Sequence, residues 1–285
     1  MTEISPALLA RLHATRGFVF DMDGTLLLGD QRNHDLRPLP GALELTRWLS
    51  EHDLPFVVFT NGTARTPQHY AQTLRSQGFT LRDEQMLTPS SSAADYFARQ
   101  GMQRIMVLGG EGVAGPIRDA GLEVVSPVRG AAADAIYVGW YRELTMDTLE
   151  AACYAAIDGI PAYSASSVLF FATAQGPTLG SSRIISAALK DVSGREVEVV
   201  GKPSLHALET AAHRLEVPAG DLTVVGDDPE LEMALAHRGG ALGVAVTTGL
   251  RTHEQFAALT GEQRPDLILP GVNRLLELLK GTVPA

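Results

Sequence analysis

Phe18-Val19-Phe20-Asp21-Met22-Asp23-Gly24-Thr25 joins three β-favouring apolar residues directly to two carboxylates and a glycine. A short apolar run of this kind suits a buried strand. If the strand continues, Asp21 and Asp23 share one side of it, and Gly24 permits the chain to turn away just beyond. Two carboxylates this close resist joint ionisation, an objection that a divalent cation removes. One of them can then act as nucleophile and ligand while the other handles protons. Taken alone, Asp-x-Asp-Gly also describes an Asx-type turn, so its meaning rests on its surroundings.

Outward from this segment the chain repeats one rhythm: a short apolar run, a turn, an amphipathic stretch. Apolar runs at residues 56–59, 105–108, 136–138, 197–200, 222–225, 242–246 and 267–269 read as strands, and residues 42–49, 67–77, 148–157, 205–215 and 254–259 carry helical patterns. Thr66 followed by Pro67 makes an N-cap and first-turn pair. Strands alternating with helices predict an α/β fold, a Rossmann-like three-layer core around a mainly parallel sheet. In such sheets ligands sit beyond the carboxyl ends of the strands. The middle of the chain is richer in small residues, at 131–135 and 164–167, and in Gly and Pro near 109–116 and 176–180. An inserted α/β domain over 99–196 fits this shift, with the core domain divided into 1–98 and 197–285.

Three more strand ends carry groups that suit an anion or a cation. Thr60-Asn61-Gly62, after 56–59, offers hydroxyl, side-chain amide and backbone donors. Gly201-Lys202-Pro203, after 197–200, supplies a point charge suited to a phosphate, with the chain direction fixed by proline. Gly226-Asp227-Asp228-Pro229-Glu230-Leu231-Glu232, after 222–225, gathers hard oxygen donors of the type magnesium takes. The same acids also suit the positive end of a helix dipole; Asp227 reads as the metal acid, with Glu230 or Glu232 serving the helix.

At 285 residues the chain is long for one compact unit, since domains commonly hold about 100–200 residues. Its net charge of −10 leaves no Lys/Arg excess to neutralise a phosphate backbone, so no nucleic-acid partner is expected. No window approaches ~18 uncharged apolar residues, so neither a membrane span nor a leader is expected. The single cysteine, Cys153, cannot close an internal disulfide, and a cytoplasmic location follows as an expectation. Cys153 lies in an apolar helical stretch and reads as core. His206 and His213 share a predicted helix at a spacing that suits a common face, not a chelating pair one turn apart.

The acid pair, the hydroxyl, the lysine and the acid cluster, each closing an apolar strand, resemble the haloacid dehalogenase-like superfamily of phosphatases. The branch most similar carries a large α/β cap inserted between the second and third motifs. It includes nucleotide, nitrophenyl-phosphate, phosphoglycolate and pyridoxal-phosphate phosphatases. The likeness extends to Leu39-Pro40-Gly41-Ala42, to Val107-Leu108-Gly109-Gly110-Glu111-Gly112, and to Val138-Gly139-Trp140 followed by Leu144-Thr145. The resemblance implies a magnesium-dependent phosphatase for small phosphorylated metabolites. Asp21 is then the nucleophile, forming an aspartyl-phosphate, and Asp23 the acid/base. Thr60, Asn61, Gly62 and Lys202 hold the phosphoryl group, and Asp21, the backbone carbonyl of Asp23, and Asp227 bind magnesium. Relatives with this cap often pair through it, which makes a homodimer an expectation.

Three departures from the branch matter. Residues 30–37, including His34, form an extra stretch before Pro38. Glu232 stands where the branch usually has Asp, which makes Asp228 a candidate for part of the metal shell. Ser166-Ser167-Val168 replaces an Asn-Pro-Asp segment, marking these residues as a candidate specificity loop for a less polar or less cationic leaving group.

Two other readings compete. Gly110-Glu111-Gly112-Val113-Ala114-Gly115 follows an apolar strand and opens a helix, as a dinucleotide-binding loop does. That mechanism also asks for an acid at the end of the next strand, where the chain has Ser126-Pro127 after Val124-Val125. A catalytically silent binding protein on the same fold would lack the nucleophile, the lysine or the metal acid, and all three residue types are present.

Overall fold

The computed structural model describes residues 4–28, 36–173, 176–249 and 251–281; most of the extra stretch, with His34, lies outside the described residues. The chain divides into two compact units, one of Met1–Thr60, Ala71–Met86 and Ala211–Ala285, the other of Asn61–Tyr70 and Leu87–Thr210.

The first unit is built on a sheet whose strands run in the order Leu267–Leu269, Leu242–Val246, Leu222–Gly226, Gly17–Phe20, Phe56–Phe59, Met86–Leu87. The first five pair in parallel. Every residue of Gly17–Phe20, Phe56–Phe59, Leu222–Gly226 and Leu242–Val246 is buried, as unbroken apolar runs in a doubly covered parallel sheet require. Phe18 stacks on Phe20 at 5.7 Å between ring centres, and Phe56 meets Phe20 edge-on at 6.2 Å. From Gly17–Phe20 the chain builds the sheet in one direction, then returns to build the other side from Leu222–Gly226. The strand order therefore reverses between Gly17–Phe20 and Leu222–Gly226, and such a reversal opens a crevice at the carboxyl ends.

The second unit holds its own sheet, in the order Val197–Val199, Ala162–Ser164, Ala135–Val138, Arg104–Leu108, Glu123–Val125, parallel throughout. Side chains alternate across a strand, and here the alternation separates two cores. Ile105 and Val107 pack with Phe97, Val113, Ile117 and Tyr137, while Met106 and Leu108 pack with Ile136, Val138, Ala152, Ile185 and Leu189. Helix Pro89–Arg99 begins with a Thr88 side chain that accepts from the Ser91 amide, and Met146–Ile157 with a Thr145 side chain that accepts from the Thr148 amide. Each replaces a partner that the first turn of a helix lacks. Tyr137 packs edge-on against Phe97 at 5.8 Å and donates to Ser90 Oγ at 3.3 Å. Burial pushes its phenol pKa up.

Candidate active site

Asp21, Thr60 and Asp227 are each the first residue beyond a strand of the first unit. Register brings them nearly level: Phe20 lies opposite Val225 on one side and Val58 on the other. The Asp21 amide donates to the Val225 carbonyl at 2.9 Å. Asp21 and Asp227 thus flank the reversal in strand order, on neighbours about 4.8 Å apart. They are only 9% and 5% exposed.

The turn after Asp21 fixes the rest of this edge. Leu26 and Leu27 amides both donate to the Met22 carbonyl at 3.0 Å, and the Gly24 amide donates to the Leu27 carbonyl at 2.7 Å. Gly24 has φ +81°, and a Cβ there would lie 2.5 Å from Asp227 Oδ2. Gly249 crowds the same carboxylate, so Asp227 is seated between two glycine backbones. Thr248 Oγ1 donates to the Gly24 carbonyl at 2.6 Å. Asp23 is exposed.

Asp228 and Glu232 serve the turn itself. Asp228 Oδ1 accepts from the Glu230 amide at 2.8 Å as the N-cap of Pro229–Met233, and Glu232 Oε2 accepts from the Asp228 amide at 3.2 Å. Glu230 and Glu232 lie in the first turn of this helix, as expected of them, and Asp228 adds the cap because the residue before Pro229 occupies the capping position.

Asn61 and Lys202 belong to the second unit. Asn61 Nδ2 donates to the Lys202 carbonyl at 3.0 Å, and the Lys202 amide donates to Asn61 Oδ1 at 3.1 Å. Lys202, whose peptide to Pro203 is cis, is only 2% exposed. Gly62 follows in the same loop, and next to it Thr63 Oγ1 accepts from the Trp140 amide at 3.0 Å. In the candidate specificity segment, buried Ser166 turns its hydroxyl back to accept from the Val168 amide at 3.1 Å. Arg183 Nη1 donates to the Ser167 carbonyl at 2.7 Å. Ser167 is exposed and Val168 half-buried.

The glycines at 110–115 have a packing reason of their own. A Cβ on Gly112 would lie 2.7 Å from the Arg65 amide nitrogen, so that position lets helix Glu111–Asp119 press on the 63–65 loop. His206 is occupied on the second unit's surface, with Nε2 2.7 Å from Glu198 Oε1 and its ring 4.2 Å from that of Tyr96. Cys153 packs half-buried beside the second core, and burial raises its thiol pKa.

Sequence reasoning missed Thr63, Thr248 and Gly249. For the last two a signal existed: Thr247-Thr248-Gly249 follows Leu242–Val246 as Thr60-Asn61-Gly62 follows Phe56–Phe59. Among the described residues no three His, Cys, Asp or Glu side chains gather into a ligand cluster.

An α/β protein with paired acids at its strand reversal belongs, by fold and site, among enzymes that work at the carboxyl edge of an open parallel sheet. A family model for haloacid dehalogenase-like hydrolases matches residues 18–123, and a second, HAD-hydrolase-like, model matches 199–275. The ribonucleotide monophosphatase NagD of Escherichia coli is 25% identical over 266 residues, covering 90% of this chain and 96% of that protein. The structure of a 4-nitrophenylphosphatase from Thermotoga maritima superposes with a TM-score of 0.82 at 25% identity, covering 94% and 99% of the two chains. A glycerol phosphate phosphatase from Mycobacterium tuberculosis, solved in complex with magnesium, gives 0.78 at 26% identity, covering 93% of this chain and 77% of that one. The chain belongs to the haloacid dehalogenase-like hydrolases, in the NagD-like branch.

Proposed function

We infer that this chain is a phosphoric monoester hydrolase that cleaves small phosphorylated metabolites through an aspartyl-phosphate on Asp21, with magnesium as cofactor. The observation that carries the reading is the pair Asp21 and Asp227, nearly buried at the ends of adjacent parallel strands where the strand order reverses. Relatives named as phosphatases support it.

The donor set fits magnesium, which uses one or two carboxylates and keeps several waters. Asp227 is seated rigidly between Gly24 and Gly249, and the resemblance adds Asp21 and the Asp23 carbonyl as the other protein ligands. Once bound, the ion supplies positive charge against the roughly 5 kcal/mol of repulsion between two unit charges 3.5 Å apart at an effective dielectric of 20.

Asp21 attacks phosphorus through a carboxylate oxygen, and the bond from phosphorus to the leaving oxygen breaks. Asp23, exposed and therefore able to exchange protons with solvent, gives its proton to the departing alkoxide. It then takes one from the water that attacks the aspartyl-phosphate, which releases phosphate and restores Asp21. Lys202, its main chain fixed by Asn61, balances phosphoryl charge, with Thr60 and Gly62 as further donors. The inserted 99–196 segment acts as the cap that reads the leaving group, with Ser166, Ser167 and Val168 as its candidate loop.

The test is hydrolysis of nitrophenyl phosphate with and without magnesium, before and after chelation, in wild type and Asp21→Asn. Chelation is expected to stop turnover and added magnesium to restore it, while Asp21→Asn stays inactive throughout. Full activity of Asp21→Asn would end the assignment.

A further inference from the structure

Lys202 lies at the tip of a strand–turn–helix unit, between strand Val197–Val199 and helix Leu205–Leu215. Pairing fixes the strand flank: Val199 is level with Ser164, and the Val200 amide donates to the Ser164 carbonyl at 2.9 Å. A Cβ on Gly201 would run into the Ala165 carbonyl, so the turn starts pressed against the end of the neighbouring strand. The Ser204 amide then donates to the Gly201 carbonyl at 2.9 Å, and the Ala207 amide to the Ser204 carbonyl at 3.0 Å. Bonds that span three residues set the local shape of the turn. The angle between its flanks is left to longer contacts.

One such contact closes the base of the turn. His206 Nε2 lies 2.7 Å from Glu198 Oε1. Glu198 stands four residues before Lys202 and His206 four after it, so this bond joins the two flanks symmetrically about the lysine. An ionised carboxylate only accepts, so Nε2 carries the hydrogen. Among the described residues Nδ1 is buried with no hydrogen-bond partner, and the Glu209 carboxylate is 3.8 Å from it. A buried ring nitrogen without a partner is unfavourable, and a histidine that served only the surface would turn that nitrogen to water. Here the imidazole is 19% exposed, lies with its centre 4.2 Å from that of the Tyr96 ring, and keeps the orientation that Glu198 requires.

We propose that Glu198 and His206 are positioning residues for Lys202: their bond sets the angle of helix against strand, and with it the place from which the lysine meets the phosphoryl group. The proposal rests on the phosphatase reading and on Lys202 as the phosphoryl-side charge. Asn61 holds the Lys202 peptide at the tip of the turn, and this pair holds the base. Neither Glu198 nor His206 touches the substrate.

The test measures kcat and KM for nitrophenyl phosphate, inhibition by inorganic phosphate, and the melting temperature. The variants are His206→Phe, His206→Gln, Glu198→Ala, the double variant Glu198→Ala with His206→Phe, and Arg99→Gln. Phenylalanine keeps the ring against Tyr96 and removes the donor, whereas glutamine keeps a donor at about the reach of Nε2. Loss of one net hydrogen bond from the transition state corresponds to a fall in rate of about fivefold. His206→Phe and Glu198→Ala are each expected to lower kcat by about that factor and to weaken inhibition by phosphate. The double variant is expected to be no worse than either single one, and His206→Gln to recover most of the rate. Arg99→Gln breaks the pairs with Asp95 and Glu209 on the same face and is expected to leave kcat unchanged. Lower melting temperatures with kcat unchanged in His206→Phe and Glu198→Ala overturn the proposal in favour of a purely structural bond. Losses that multiply in the double variant overturn the pairing, and an equal loss of kcat in Arg99→Gln overturns its link to the lysine. If wild type does not hydrolyse nitrophenyl phosphate with magnesium, the phosphatase reading fails first and takes the proposal with it.

Discussion

Replacing Asn61 by alanine removes both hydrogen bonds that hold the Lys202 main chain, at 3.0 and 3.1 Å, without touching the lysine itself. Hydrogen bonds of this kind contribute about 1 kcal/mol each net, so the pair is worth about 2 kcal/mol. Lys202 is almost fully buried, and water does not readily replace the lost partners. If the whole amount is lost in the transition state, kcat falls about 30-fold, at 1.36 kcal/mol per factor of ten. If it is lost from the folded ground state, the melting temperature falls by roughly 4–8 °C, at about 2–4 °C per kcal/mol for a chain of this size. Steady-state kinetics with nitrophenyl phosphate and calorimetry on the same preparation partition the two. Asn61→Gln carries the same groups on a longer arm and is expected to behave like alanine, since the bracket depends on reach. A variant with kcat within twofold of wild type and an unmoved melting temperature would refute the view that this amide positions the lysine.

Asp23→Asn is expected to slow turnover by about 10²–10⁴ and to accumulate phosphorylated chain detectable by mass spectrometry. Wild-type kcat would remove Asp23 from proton transfer. Gly24→Ala forces a left-handed φ on a side chain, at about 1–2 kcal/mol, and drives its Cβ into Asp227. A lower melting temperature together with a raised magnesium requirement is expected, and a fall in stability alone would mean that Asp227 tolerates displacement. Asp134 Oδ2 accepts from the Gln103 and Arg104 amides, both at 2.8 Å, and these bonds hold its carboxyl below the ordinary carboxylate pKa. A depressed folded pKa adds stability that is complete above the unfolded value near 4 and is lost as pH falls through the folded value. Asp134→Asn should therefore lower the urea midpoint at neutral pH, with the gap from wild type closing below about pH 4. A gap constant with pH would mean that ionisation of Asp134 adds nothing.

Much of this protein follows from local rules. Runs such as Phe18-Val19-Phe20 and Phe56-Val57-Val58-Phe59 suit strands buried on both faces, and their alternation with helical patterns makes a parallel α/β sheet the economical solution. The residues at their carboxyl ends then become candidates on chemistry alone. Two helices were less legible: Pro89–Arg99 opens with a proline and a run of serines, and Ser181–Ser193 opens with two serines. Thr88 caps the first of them, and each buries its apolar face in one of the second unit's cores.

Tertiary structure alone decided how neighbouring polar residues divide their work. Asp227 and Asp228 are adjacent in sequence, yet one is seated between Gly24 and Gly249 while the other caps a helix. Asn61, an anion-binding candidate by type, also brackets the Lys202 main chain 141 residues away with its amide. A residue's type states which bonds it can make. Which of them it does make depends on partners that only strand order and register deliver, and no local pattern encodes those.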